Sequence, residues 1–111
     1  MRHAYLKVGV VGINFKSAPL RLREEVAKIA QLFADERGRF FPYPTVLLST
    51  CNRTEVYFSS GDLAEAHSHL LSLLRRQSEM PFEPYLYSYF GIDCFAHLCQ
   101  VAAGLDSAIV A

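Results

Sequence analysis

The sequence lacks an excess of charge of either sign, with 11 Lys plus Arg against 11 Asp plus Glu and a net charge of zero. It does not have the strongly basic balance that is typical of a self-sufficient nucleic-acid-binding module, although RNA stays open as a partner of a larger protein. No apolar run approaches the length of a membrane span, and the first residues, MRHAYLKVGV, lack the apolar core and cleavage site of a signal peptide. We therefore expect no membrane segment.

Cysteine is scarce, and no two cysteines stand in a C-x-x-C pair. The cysteines that occur, Cys51, Cys94 and Cys99, are an odd set, so we expect no disulfide framework and a reducing, cytoplasmic setting. His67 and His69 are two residues apart on a predicted helix and point to different sides. That spacing makes them a poor metal pair and favours a solvated helix face, so we predict no metal site.

Glycine-rich phosphate loops and a regular helix end are also missing. Neither G-x-G-x-x-G nor G-x-x-x-x-G-K-[ST] occurs, so nothing in the chain cradles a nucleotide phosphate. The last residues, LDSAIVA, lie inside an apolar helical pattern without a glycine cap, a basic last turn or a proline. Because natural termini are usually polar and frayed, we interpret the chain as a fragment that ends inside or just after a helix.

What is present is an apolar, globular composition: 111 residues, of which 51% are apolar and 20% charged, are enough for one domain with a real core. Hydrophobic periodicity predicts strands at YLKVGVVGINF, TVLLSTC, TEVYFSS and PYLYSYF, and helices from Leu20 to Arg37, from Asp62 to just before Met80, and after Gly91. The order β-α-β-β-α-β-α predicts an α+β fold, a ferredoxin-like βαββαβ sandwich with an additional C-terminal helix. We expect an antiparallel sheet with two helices on one face.

The last helix carries one apolar stripe in this interpretation. Its members are Ile92, Phe95, Cys99, Ala102 and Ile109. Cys99 is on the stripe, and we predict that both Cys94 and Cys99 belong to the core. His97 lies off the stripe, on a face shared with Val101 and Gly104, where a structural histidine and a functional one are equally expected.

The stretch VLLSTCNRTEVYF brings one cysteine, Cys51, to the tip of a predicted hairpin. Exposure and a nearby cation make a cysteine more reactive, and Arg53 follows two residues later. Arg53 could equally grip a substrate carboxylate in a forked contact. Thr50 and Asn52 add short polar groups that could orient a carbonyl. On the residues alone, a structural cysteine in an ordinary polar turn stays open as the alternative to a nucleophile.

Three blocks of the sequence are similar, in order, to the N-terminal catalytic domain of glutamyl-tRNA reductase. They are GINFKSAPLRLREEVA (Gly12 to Ala27), LLSTCNRTEVY (Leu47 to Tyr57) and HLCQVAAGLDSAIVA (His97 to Ala111). The middle block resembles the nucleophile motif of the family almost residue for residue. The resemblance implies that residues 1–111 are a single catalytic, glutamyl-binding domain, and that the NADPH-binding and dimerisation domains of the family are absent from this chain.

The resemblance also implies a role for each candidate residue. Cys51 would attack the ester that joins glutamate to its tRNA, and NADPH would reduce the resulting thioester to glutamate-1-semialdehyde, towards tetrapyrroles and haem. The residues that match substrate contacts of the family are Thr50, Asn52, Arg53 and Ser107. Arg53 would bind the side-chain carboxylate, and His97 matches a histidine that is important for activity. The implied partners are glutamyl-tRNA(Glu), a second subunit in a homodimer, and glutamate-1-semialdehyde aminomutase, to which the product would be channelled.

The sequence departs from the family at two points. Phe15 stands where the family often has histidine, so substrate contacts there are expected to differ or to be absent. The chain also ends where the family continues through a Gly-Glu-Pro-Gln-like segment.

Two rival functions stay open. One is a non-catalytic ferredoxin-like module that binds RNA or a small ligand. In that case Tyr85, Tyr87 and Tyr89, predicted on one face of the fourth strand, could stack bases, although packing is the favoured role. The other is a thiol hydrolase without a reductive step.

Overall fold

The computed structural model describes residues 7–35 and 37–110, with side chains up to residue 104. The strands are β1 (Val8–Asn14), β2 (Thr45–Ser49), β3 (Arg53–Ser59) and β4 (Tyr87–Phe90), and the helices are α1 (Leu20–Ala30), α2 (Leu63–Gln77) and α3 (Ile92–Val110). The strands form one antiparallel sheet in the order β2-β3-β1-β4. The predicted α+β, ferredoxin-like βαββαβ fold with an additional C-terminal helix is confirmed.

Side-chain alternation along the two central strands gives the sheet two different faces. Val11 and Ile13 of β1 and Val56 and Phe58 of β3 are buried on the first face, where they join a core with the apolar sides of α1 and α2. Burying a side chain of this size contributes about 1.5–3 kcal/mol. The positions in between, among them Glu55, point to the second face.

Helix α1 buries the positions that its spacing predicts, Leu22, Val26 and Ile29. The predicted end at Arg37 is wrong, because the α-helix stops at Ala30 and continues as a 3-10 turn over Gln31–Ala34. The tighter turn keeps Phe33 in the core, at 3% exposure, so the periodicity continues after the α-helix has ended.

Helix α2 begins with the predicted cap. The Asp62 carboxylate accepts a hydrogen bond of 3.0 Å from the Glu65 backbone N–H. Glu65 does not complete a capping box. Its carboxylate accepts a bond from the Tyr43 hydroxyl, while the Ser60 hydroxyl oxygen accepts the Asp62 N–H.

Helix α3 packs on the second face of the sheet, and the predicted apolar stripe is wrong. Ile92 and Phe95 are 68% and 52% exposed, whereas Cys94 and Val101 are 2% and 6% exposed. His97, which was expected off the packed face, also points to the sheet. The side that packs is the one with Cys94, His97 and Val101, whereas Gly104, predicted on the face of His97, is exposed. This side of α3 meets a face of the sheet that carries Glu55 and Tyr57 beside the buried Val10.

Three smaller expectations about α3 and β4 are corrected in the same way. Cys99 is exposed, so of the two cysteines predicted in the core only Cys94 is buried. Ala102 is exposed, and the side chain of Ile109 lies outside the described residues. Tyr85 belongs to a short 3-10 helix, Glu83–Tyr85, so only Tyr87 and Tyr89 lie in the strand.

The two histidines of α2 pack against neighbours, which corrects the prediction of a solvated face. The Nε2 atom of His67 is 3.0 Å from the Ser88 hydroxyl oxygen on β4. His69 makes edge contacts with the rings of Phe41 and Tyr43. Burial lowers the pKa of His67, which favours its neutral form in the folded protein.

Candidate active site

Cys51 lies at the tip of the β2–β3 hairpin, as predicted, and is exposed. Thr50 shapes the tip, because its hydroxyl oxygen accepts bonds from the backbone N–H groups of Asn52 and Arg53, at 3.2 and 3.3 Å. The Thr50 N–H in turn donates to the Arg53 carbonyl oxygen at 2.8 Å. The tip is therefore an ordered turn that holds an accessible thiol.

The segment between β1 and α1 lies beside this tip. The Phe15 N–H donates to the Asn52 carbonyl oxygen at 2.9 Å, and the Arg23 guanidinium donates to the Cys51 carbonyl oxygen at 3.1 Å. Phe15 itself is 53% exposed. The Arg23 guanidinium thus contacts the backbone of Cys51 itself, and Arg53 follows Cys51 by two residues along the chain.

A fully buried carboxylate, Glu55, lies in β3 on the second face of the sheet. The hydroxyls of Tyr57 and Tyr87 donate to its two oxygens, at 2.7 and 2.6 Å. Oε2 also accepts from Arg53 Nη1 at 3.2 Å and from His97 Nε2. We call these five side chains the Glu55 network.

The hydrogen bonds in the Glu55 network keep its carboxylate ionised. Burial by itself would raise the pKa of Glu55, but the donors Tyr57, Tyr87 and His97 outweigh it and hold the pKa below its usual value. Burial and the neighbouring carboxylate raise the pKa of both tyrosines, so their hydroxyls stay protonated and continue to donate. Among the described side chains, no buried polar atom lacks a hydrogen-bond partner.

His97 is held on two sides. Its ring stacks on Tyr89, with centroids 4.8 Å apart and an interplanar angle of 29°, and contacts Tyr87 at 5.3 Å. An ionised carboxylate can only accept, so Nε2 carries a proton in the bond to Glu55. This bond occupies Nε2 and fixes the orientation of the ring.

A family profile described as glutamyl-tRNAGlu reductase, N-terminal domain, matches residues 11–111. This chain belongs to that family. Its relatives include the glutamyl-tRNA reductases of Akkermansia muciniphila, 35% identical over 111 residues, and Shewanella loihica, 40% identical over 104 residues. Among solved structures, the glutamyl-tRNA reductase from Methanopyrus kandleri matches with a TM-score of 0.64 at 25% identity. The predicted family is confirmed.

The matches cover most of this chain but a small part of the matched proteins. They include 95% of this chain and 33% of the Akkermansia protein, 90% and 25% for Shewanella, and 91% and 23% for Methanopyrus. The chain therefore spans a quarter to a third of the length of the curated relatives it matches.

The structure brings most of the predicted site residues of this reductase-family domain together. Thr50, Cys51, Asn52 and Arg53 share the hairpin tip, and Arg53 connects the tip to His97 through Glu55. Ser107 is in α3, but its side chain lies outside the described residues. The roles of these residues stay predictions.

The sequence analysis did not predict four residues as members of the site: Arg23, Glu55, Tyr57 and Tyr87. For Glu55 a signal existed, because strand alternation places it opposite Val56 and Phe58, inside a strand whose neighbours are buried. A charged residue in such a place needs partners, and Tyr57 lies two residues on. For Arg23 there was no local signal, since it is 28 positions from its partner Cys51.

The described part of the chain has neither a metal-binding cluster nor a membrane-spanning helix. No group of three or more His, Cys, Asp or Glu side chains there is arranged to hold a metal ion. No helix there is both long and apolar enough to cross a membrane.

Proposed function

We propose that residues 1–111 form the catalytic, glutamyl-binding domain of an NADPH-dependent glutamyl-tRNA reductase. The observation that carries the proposal is an exposed cysteine at an ordered hairpin tip, in a chain of this family. Its carbonyl oxygen accepts a bond from Arg23, and Arg53 follows it by two residues. The parent enzyme would convert glutamyl-tRNA(Glu) to glutamate-1-semialdehyde for tetrapyrrole synthesis.

In the first step, the Cys51 sulfur attacks the carbonyl carbon of the ester between glutamate and the terminal ribose. The carbon–sulfur bond forms, the carbon–oxygen bond breaks, and the leaving tRNA oxygen takes up a proton. The product is a thioester on Cys51. A thioester suits a following reduction, because its carbonyl is more electrophilic than that of an ester and thiolate is a good leaving group.

His97 would move the proton in this step. It can take the proton of the Cys51 thiol or deliver one to the leaving tRNA oxygen. The bond from Nε2 to Glu55 supports this role, because it holds the ring in one orientation.

The glutamyl group would be held by residues around the tip. Arg53 is the natural partner for the side-chain carboxylate, because its guanidinium has five donors and the observed bond to Glu55 uses one. The bond to Glu55 orients the remaining donors. Thr50, Asn52 and Ser107 would complete the contacts.

The reductive step needs a cofactor that the residues of this chain do not fit. The sequence has no glycine-rich turn for a dinucleotide, so we assign NADPH, which would supply the hydride, to the remainder of the parent. We also propose that the parent enzyme is a cytoplasmic homodimer. It would channel its product to glutamate-1-semialdehyde aminomutase.

The rival RNA-binding module is less well supported by the tyrosines. Tyr87 donates its hydroxyl to Glu55, and Tyr89 stacks on His97. Tyr85 is outside the strand. Tyr87 and Tyr89 are therefore already engaged by other side chains of the domain.

The test is a Cys51→Ser variant of the full-length parent, with Cys99→Ser as the matched control because Cys99 is also exposed. The enzyme is mixed with glutamyl-tRNA(Glu) that is labelled in the glutamyl group, quenched in acid, and assayed for labelled protein and, with NADPH, for semialdehyde. We expect Cys51→Ser to lose both signals by about a hundredfold or more, and Cys99→Ser to stay within about twofold of the wild type. Normal labelling of Cys51→Ser would exclude the proposed nucleophile.

A further inference from the structure

Two peptide units follow the Cα atom of Cys51, and in each of them both the carbonyl oxygen and the N–H group are hydrogen-bonded. In the first, the Cys51 carbonyl oxygen accepts from Arg23 Nη1 at 3.1 Å, and the Asn52 N–H donates to Thr50 Oγ1 at 3.2 Å. In the second, the Asn52 carbonyl oxygen accepts from the Phe15 N–H at 2.9 Å, and the Arg53 N–H donates to Thr50 Oγ1 at 3.3 Å.

These four bonds come from two sources. Thr50 supplies its two from within the turn, so they fix the shape of the turn but not its place relative to the rest of the domain. The bonds from Phe15 and Arg23 come from the β1–α1 segment, and they fix where the turn lies against α1. Of these two, only the bond from Arg23 is made by a side chain and reaches the carbonyl of the cysteine itself.

The Arg23 side chain is anchored as well. Its Nε atom donates to the Ala18 carbonyl oxygen at 3.1 Å, just before α1 begins. Ala18 is 7% exposed, and Leu22, next to Arg23, is 2% exposed, so both ends of this segment are fixed in the core. The planar guanidinium therefore bridges two carbonyl oxygens, one on the loop before α1 and one on the hairpin tip. An ammonium group cannot reproduce that bridge, because it lacks the rigid fork.

We propose that Arg23 is a positioning residue for Cys51, which sets the direction of the Cα–Cβ bond at the hairpin tip and so aims the sulfur at the ester carbonyl. This inference rests on the proposed function of Cys51. Attack needs the reacting atoms about 3–3.5 Å apart and aligned, and a misplacement of about 1 Å can cost about a hundredfold in rate. Arg23 acts through the backbone of the tip and needs no contact with the substrate.

The test compares acyl transfer with simple alkylation in the full-length parent. Arg23→Met keeps an unbranched stem and removes every donor, and Arg21→Met is the matched control on an exposed position of α1. We expect Arg23→Met to lower the single-turnover rate of thioester formation at saturating glutamyl-tRNA by about tenfold or more. Alkylation of Cys51 by iodoacetamide needs no particular orientation and depends only on access and on the charge near the thiol, so it should fall by much less than thioester formation. Arg23→Lys should recover part of the lost rate, and Arg21→Met should behave as the wild type.

A folded Arg23→Met enzyme that forms the thioester at the normal rate would overturn the inference. So would equal losses of acyl transfer and alkylation, which would indicate a general change in access to the thiol. If circular dichroism shows that Arg23→Met does not fold, Arg23→Lys decides, and a normal rate in that variant overturns the inference. If the wild type itself forms no thioester, the proposed function fails, which is a different result from a normal rate in the Arg23 variants.

Discussion

At the scale of single residues, Glu55 shows how a carboxylate can have no exposed surface and still be ionised. Losing water destabilises the charged form, and a buried charge is tolerated only when partners replace the lost hydration. Four side chains donate to its two oxygens. The same bonds fix Arg53 and His97, so a single buried residue connects the two sides of the proposed site.

We predict that Glu55→Gln destabilises the domain by about 3 kcal/mol, because an amide offers one oxygen to four donors and adds an NH₂ group that faces them. The measurement is the free energy of unfolding in urea at pH 7. Glu65→Gln is the control, since its carboxylate is exposed and accepts a single bond from Tyr43. If the Glu55→Gln domain is as stable as the wild type, the network does not depend on the negative charge of the Glu55 carboxylate.

The stability difference between the wild type and Glu55→Gln should also depend on pH. The folded pKa of Glu55 is depressed, so its stabilising contribution is complete above the unfolded value of about 4.3 and is lost as the pH falls through the folded value. The stability difference between wild type and Glu55→Gln should therefore be constant from pH 7 to about 5 and shrink below about pH 4. A difference that does not change with pH would contradict the ionised state.

At the scale of elements, β1 needs glycine at position 12, because the side chains of Glu55 and Tyr87 fill the space that a side chain there would occupy. A Cβ atom at Gly12 would lie 2.8 Å from Cγ of Glu55 and 2.9 Å from the Tyr87 ring. Neither neighbour can withdraw, because each is bonded to the other. We predict that Gly12→Ala destabilises the domain by about 1–3 kcal/mol, which lowers the melting temperature by several degrees.

The control for this prediction is Gly61→Ala, because a Cβ atom at Gly61 meets nothing within 4 Å. Thermal unfolding followed by circular dichroism measures both variants. Equal melting temperatures for Gly12→Ala and the wild type would show that the network can move aside.

The elements also show what the sequence could and could not predict. The strands, α1 and α2 were predictable, because each buries an apolar side whose spacing is visible within the segment itself, as at Leu22, Val26 and Ile29. The buried side of α3 was not, because hydrophobicity alone favours the side with Ile92 and Phe95. The face of the sheet that α3 covers carries Glu55 and Tyr87, which contact His97 and each other, and Glu55 is far from α3 in sequence.

At the scale of the whole molecule, the proposed site is assembled from segments that are distant in the chain. The hairpin tip was found because its residues are consecutive and resemble a family motif. The other contacts of the site join residues that are far apart in the chain. Arg23 is 28 positions from Cys51, and Glu55 is 42 positions from His97. Contacts over such separations depend on the sheet order, which places β1 between β3 and β4. A single sequence carries no direct signal for them.

The proposal places thioester formation in these 111 residues and hydride transfer in the rest of the parent, which leads to a prediction for the 111-residue chain alone. The chain has the proposed nucleophile and its supports but no glycine-rich turn for a dinucleotide, and hydride transfer requires the nicotinamide to be held against the thioester. We expect the purified chain to become labelled on Cys51 by glutamyl-tRNA(Glu) and to release the label slowly as free glutamate when water hydrolyses the thioester. Adding NADPH should change neither the label nor the product, whereas the full-length parent should form semialdehyde under the same conditions. Cys51→Ser in the same chain controls for label that binds elsewhere. Semialdehyde from the chain plus NADPH would show that it completes the reduction by itself, and the assignment of the cofactor to the rest of the parent would then be wrong.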